Sequence, residues 1–387
     1  MPQKEAAMTA IQNGIDRISD YDGLLRGKRI GLITAPTGLD AEFRSTIDLL
    51  HERYGLAALF SPEHGVRGNL GAGDLVDAYV DPQTGVPVYS LYRKDSKRLT
   101  EEMLREVDIV VYDIQDVGTR YYTFIYTMLY ALEDCAAAGI PFVVLDRIDP
   151  LDGVTVEGNV LREEFSSFVG GYPLAVRYGL TAGEVASMAN AERGWNAELH
   201  VAECRGWKRG MLFPETGRAW IPPSMGIPRF HTALLYPGTC LFEGTNLSEG
   251  RGTTAPFETI GAPFVDGEVL AKEMNGLKLP GVHFRPVHFN PYMSKHQGSL
   301  CGGVYVHVLD VRALRPVETG VRLLFKVREL FPAFEYLAPY RKGGRPFIDL
   351  LGGDEGYRTE SPDALLERFA DEGRLFAERK KAYHLYE

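Results

Sequence analysis

Short, almost unbroken apolar runs recur through the first half of the chain, at 29–34 (RIGLIT), 56–60 (LAALF), 86–91 (VPVYSL), 107–112 (VDIVVY) and 140–145 (IPFVVL). Strands covered by helices on both faces read this way, because neither face meets water. Between these runs the period lengthens. Tyr122, Ile125, Tyr126, Leu129 and Leu132 share one face of a helix expected over 121–138, which Gly139 ends. Thr181, with Glu184 three positions on, predicts a capping box for a second helix reaching Arg193, and LHVAEC at 199–204 reads as another strand. Strands alternating with helices predict an α/β protein built on a mostly parallel sheet flanked by helices.

The pattern then changes. From 221 to 263 the chain is rich in Gly and Pro and shows neither period, and loops of that length inside compact proteins are usually functional. Beyond 265, VHFRPV and GGVYVHVLD read as strands, a helix is expected at 317–330, and a C-terminal helix carries Leu365, Phe369, Phe376 and Tyr383. The expected organisation is a larger α/β domain over 1–255 and a smaller α+β C-terminal domain over 256–387.

With 387 residues and 45% hydrophobic side chains, the chain can bury a sizeable core. A formal charge of -10, with no long Lys/Arg run, argues against a nucleic-acid partner. Cys135, Cys204, Cys240 and Cys301 lie far apart with no His at ligand spacing, so neither a metal site nor a disulfide framework is expected. No apolar leader precedes the first strand and no run has membrane-spanning length, so the chain reads as cytoplasmic, or as secreted if a leader has been trimmed.

In α/β sheets ligands bind beyond the carboxyl ends of the strands, so the chemistry is sought there. LAALF is followed by Ser61-Pro62-Glu63-His64-Gly65-Val66-Arg67-Gly68. Glu63, beside Gly and Pro, is the carboxylate most open to a ligand; the alternative is a turn cap paired with Arg67 or Arg120. His64 reads as a hydrogen-bonding orienter rather than a base. VDIVVY is followed by Asp113, Gln115, Asp116, Arg120 and Tyr121, and IPFVVL by Asp146 and Arg147. Asp113 and Asp116 around Gln115 suit sugar hydroxyls, or else cap the next helix. Arg120 and Arg147 suit an anionic substrate group, since guanidinium grips a carboxylate in two places, or are neutralised by the neighbouring aspartates. The 242–254 segment gathers Glu243, Asn246, Glu249 and Arg251 among three glycines, a set suited to a sugar; otherwise it is an ordered loop with an internal Glu–Arg pair. GVRGNLGAGD lacks the spacing of a dinucleotide or phosphate loop and is a weak phosphate cradle.

Several blocks in this order, LITAPTGLD, LFSPEHGVRG, TGVPVYSLY, DIQDVGTRYYTFIYTM, VVLDR, SFVGGYPLAVRYGLTAGEVA and YPGTCLFEGTNLSEGRGTTAPFETIGAP, resemble the NamZ-like exo-β-N-acetylmuramidases, also known as DUF1343, over nearly the whole chain. The resemblance implies a Rossmann-like N-terminal domain, a smaller C-terminal domain and an active site between them. It implies exo-cleavage of MurNAc-GlcNAc fragments in cell-wall turnover, with Glu63 of SPEHG as the leading catalytic residue. The implied partner is a small saccharide, with no cofactor, metal or membrane. Two blocks depart from the family: LDRIDP stands where LDRPNP is usual, and PPSMGIP where PSPNMP is usual.

Glycoside hydrolysis ordinarily needs a protonated carboxyl and a second carboxylate across the ring. The expected acid is Glu63, with Glu243 or Glu249 as partner unless the substrate's own N-acetyl group serves. One rival reading, motivated by the departing blocks, keeps the cleft for binding without turnover. A second, a nucleotide-dependent enzyme, rests only on the alternating pattern, and fold does not imply function.

Overall fold

The structure, a computed structural model, describes residues 10–68 and 78–387. Residues 69–74 of the Gly-rich stretch and the first nine residues lie outside the described part.

The strands are β1 (Arg29–Thr34), β2 (Gly55–Ser61), β3 (Tyr79–Val80), β4 (Pro87–Ser90), β5 (Ile109–Asp113), β6 (Phe142–Leu145), β7 (Glu157–Val160), β8 (Ala175–Arg177) and β9 (Leu199–Ala202), then β10 (Thr259–Ala262), β11 (Val282–Phe289) and β12 (Cys301–Val308). Seven form one sheet in the order β3-β4-β2-β1-β5-β6-β9. Every neighbouring pair is parallel except the edge pair β3–β4. Counting only the parallel strands in chain order, the arrangement is three-two-one-four-five-six, the order of Rossmann-type sheets, which reverses direction between β1 and β5. The expected α/β class with a mostly parallel, helix-flanked sheet is therefore what forms. β1 and β5 are buried along almost their whole length, as their unbroken apolar runs require.

The helix expected from 121 begins at Phe124 and runs to Ala138, with Gly139 closing it at a φ of 66°. Thr181 caps the helix Ala182–Arg193, and the capping box with Glu184 is complete. The smaller C-terminal part carries the antiparallel sheet β10-β12-β11 with the helices Gly267–Gly276, Pro316–Leu330 and Pro362–Lys380. The stretch 221–263 is less irregular than its composition suggests. It contains the helix Phe230–Thr239 and strand β10. That helix is buried on nearly all sides and carries Pro237 within it, so it lacks the polar face from which a helical period is read.

The two halves interlock. Lys380, almost fully buried, donates to the carbonyls of Gly153, Val154 and Gly179. The Tyr386 hydroxyl donates to Asp146 and accepts from the Cys204 amide. The Cys135, Cys204, Cys240 and Cys301 thiols are free and buried.

Candidate active site

β2 ends at Ser61, and the turn that follows is closed by the Gly65 amide on the Pro62 carbonyl. Within it His64 takes a φ of 74°, a conformation rare for a side chain of its size. This turn presents Glu63 to a cavity of about 160 Å3. Tyr92, just beyond β4, and Tyr121, Tyr122 and Thr123, beyond β5, form one wall. Ser224, Gly226 and Ile227 belong to the departing PPSMGIP block, and with Tyr236, Glu243, Arg251 and Phe257 they close the other.

Glu63 is half-buried. Its Oε2 accepts from the Thr123 hydroxyl at 2.9 Å, and it enters no ion pair among the described residues. The His64 ring meets Phe124 edge-on, with centroids 6.2 Å apart. The Tyr236 ring packs edge-on against Tyr121, Tyr122 and Phe257, which gives the cavity rigid apolar walls. Across from Glu63, both Nε and Nη2 of Arg251 donate to Glu243 Oε1, at 2.9 and 2.6 Å. Burial opposes the Arg251 charge, but Glu243 and Glu249 outweigh it and hold the guanidinium above its ordinary value. Glu249 is buried behind this pair and reaches Lys295 at 2.8 Å.

The cavity thus brings together Glu63, His64, Tyr121, Glu243 and Arg251 from the residues singled out in the sequence. The others lie elsewhere. Arg67 is tied to Asp48 and Asp81. Arg120, fully buried, donates to the carbonyls of Asn159, Leu174, Leu351 and Gly352, so it joins the two halves instead of clamping a substrate. Arg147 is equally committed: Nε and Nη2 bond the fully buried Asp113 at 2.6 and 2.9 Å. Asp146 caps the helix Ala182–Arg193 through the Thr181 hydroxyl and the Gly183 amide. Asp116 accepts from the Gly118 amide and the Tyr178 hydroxyl, and burial pushes its carboxyl up to about 6 against those bonds. The Asn246 amide holds Ala333 and Glu335, away from the cavity. Gln115 donates to the carbonyls of Asp116 and Ile148.

Sequence reasoning missed Tyr92, Thr123, Ser224, Tyr236 and Phe257. Tyr92 was discoverable, since it directly follows a strand. Ser224 and Tyr236 sit in the stretch without period, where only the folded chain shows which side faces the cavity. A second, larger cavity of about 690 Å3 lies over the ends of β1, β5 and β6 and includes Gln115 and Arg147 in its wall. No group of three or more His, Cys, Asp or Glu suited to a metal ion occurs among the described residues. No helix there is long and apolar enough to cross a membrane.

The fold is a Rossmann-like sheet with a carboxylate-bearing cavity beyond its strand ends and a smaller antiparallel unit after it, and the chain belongs to the exo-β-N-acetylmuramidase NamZ family. The family's N-terminal profile matches residues 30–231 and its C-terminal profile residues 234–386. Among curated relatives, the peptidoglycan β-N-acetylmuramidase NamZ of Bacillus subtilis (strain 168) is 46% identical over 97% of this chain and 91% of its own length. Two crystal structures of DUF1343 family proteins from Bacteroides fragilis NCTC 9343 share the fold. One has a TM-score of 0.89 at 37% identity, covering 97% of this chain and 99% of its own. The other has a TM-score of 0.76 at 29% identity, covering 98% and 99%.

Proposed function

We propose that Glu63 is the general acid with which this chain breaks a glycosidic bond. By family the chain is an exo-β-N-acetylmuramidase, a glycoside hydrolase acting on peptidoglycan fragments to release N-acetylmuramic acid from the non-reducing end. One observation supports the choice of residue. Of the carboxylates at the strand ends, Asp113, Asp116 and Asp146 are buried and held by internal hydrogen bonds, whereas Glu63 is part-solvated, is paired with no cation among the described residues and lines one cavity with Glu243.

In this reading Thr123 fixes Oε2 of Glu63, so Oε1 carries the proton to the departing glycosidic oxygen. Glu243 is the better placed of the two partner carboxylates. Arg251 occupies its Oε1, and Oε2, which has only a weak contact from the Cys240 thiol at 3.7 Å, serves the ring or a water, while Glu249 is held behind by Arg251 and Lys295. The acetamido carbonyl of the sugar is the alternative partner. Proton NMR of the first-formed anomer separates these courses: retention supports Glu243 as nucleophile or the acetamido route, and inversion supports a water activated by Glu243.

The acid role has its own test. Glu63→Gln should lose hydrolysis of a muramyl disaccharide yet keep most of its activity on the β-fluoride of N-acetylmuramic acid, because fluoride departs without needing a proton. Equal loss on both substrates would remove the acid assignment.

A further inference from the structure

The Glu63 cavity has a cation beside it that the chemistry described so far does not use. Lys97 lies in the turn that follows β4, and its ammonium sits 3.4 Å from the centre of the Tyr92 ring and 5.5 Å from that of Phe168. Both rings line the Glu63 cavity, and the Glu63 charge is felt at Lys97 and Tyr92 alike.

The turn holds this ammonium in place. Arg93 donates from Nη1 to the Ser90 carbonyl and from Nη2 to the Arg98 carbonyl, each at 2.7 Å, and Lys97 Nζ donates to the Arg93 carbonyl at 2.7 Å. A lysine carries three N–H donors. One is spent on that carbonyl, and the Tyr92 face attracts the charge without neutralising it.

Lys97 is part-buried, yet it enters no ion pair among the described residues. A charge taken out of water is ordinarily paired. Burial holds this ammonium below the ordinary lysine value, against the pull of Glu63. The neighbouring cations are differently placed: Arg251 is shared between Glu243 and Glu249, and Arg98 is paired with Glu133 and Asp134. Asp95, the acid of the Lys97 turn, is exposed to water.

The surroundings favour an anion as well, on a chain whose formal charge is -10. Tyr340, which lies within reach of the Glu243 charge, begins an exposed strap that continues into Arg341, Lys342 and Arg345. None of these three cations enters an ion pair among the described residues. Arg345 returns to the cavity side of the molecule, 3.8 Å from the centre of the Phe165 ring on the segment that carries Phe168. Cations grouped in this way draw anions toward them.

We infer that Lys97 selects for a carboxylate on the sugar held at Glu63, the lactyl carboxylate that sets N-acetylmuramic acid apart from a neutral amino-sugar, and that this group is the counter-ion the ammonium lacks. The inference rests on the Glu63 cavity being the place of cleavage. It gives the anion-binding role expected of Arg120 and Arg147, both tied down inside the fold, to a side chain that sequence reasoning passed over.

The test crosses two substrates with two variants. The substrates are the β-fluoride of N-acetylmuramic acid and the same fluoride with its lactyl carboxyl methylated. Wild type should prefer the free acid. Lys97→Met should lower kcat/KM for the acid by about 10- to 100-fold and leave the ester unchanged, which erases the preference, while Lys97→Arg should keep most of it. An acid-to-ester ratio that survives in Lys97→Met overturns the inference, and so does an equal loss on both substrates, which is what a merely structural lysine would give. Wild type that treats acid and ester equally overturns it too. Neither fluoride needs a proton from Glu63, so failure of the acid assignment leaves this comparison intact. Wild type inert on both fluorides would instead overturn the cleavage reading, and this inference with it.

Discussion

The carboxyl end of β2 and the carboxyl ends of β5 and β6 look alike as text, each an apolar run followed by a dense polar cluster, yet they fold into opposite environments. After β5 and β6, Asp113, Arg147 and Asp146 are buried and every charge has a partner. After β2, Glu63 has one hydroxyl partner and an open cavity. The difference teaches that polar density at a strand end marks two things. Where donors and acceptors are closed among themselves, the cluster is architecture, since buried polar groups must be paired. Where one group is left short of partners beside a cavity, as Glu63 is, it is the candidate for chemistry.

Substitutions on each side sharpen this contrast. The largest effect is expected at Glu63. Glu63→Gln should lower the rate on the muramyl disaccharide by about 10²- to 10⁴-fold with no shift in the unfolding midpoint, and a large loss of stability would place Glu63 with the architectural set. Next, Arg147→Ala should destabilise the fold by about 3–5 kcal/mol, because it leaves Asp113 charged and buried; chemical denaturation measures this. A stable variant with altered substrate binding would return Arg147 to the chemical set.

A smaller effect, dependent on pH, is expected at Asp116. Its folded carboxyl sits near 6, above the ordinary 3.8, so its stabilising contribution is complete below about 4 and is lost as pH rises through 6. Asparagine mimics the protonated form. The stability of Asp116→Asn relative to wild type should therefore grow between about pH 4 and 6, by up to about 3 kcal/mol, and level off above. A difference that stays flat with pH would break the argument. The smallest effect belongs to exposed pairs remote from both regions: Glu101→Gln, opposite Arg105, should leave the unfolding midpoint and the rate unchanged.

Much of the fold was legible because strands and helices announce themselves by burial. β1, with helices on both sides, matches its apolar run residue for residue, and the Thr181 box starts its helix as its hydrogen bonds demand. The helix Phe230–Thr239 escaped because a segment buried all round has no polar stripe. About half of the candidate site's lining was legible. Glu63 stood out by its Gly and Pro neighbours, and Glu243 and Arg251 by the company they keep. Arg120 and Arg147 could not be sorted in advance, since a guanidinium that grips a substrate and one that ties down carbonyls are the same residue type.

The interlocking of the two halves bears on how the molecule is made. Tyr386 reaches Asp146 across 240 positions, Lys380 reaches Gly179 across 201, and Arg120 waits for Gly352, 232 residues downstream. Contacts so distant in sequence form late, because the intervening chain must first be brought together. On the ribosome the parallel sheet emerges well before the groups that satisfy its buried aspartate and arginine. The nascent first half must therefore persist with those polar groups solvated, and it reaches its final compactness only when residues 352–386 have been translated.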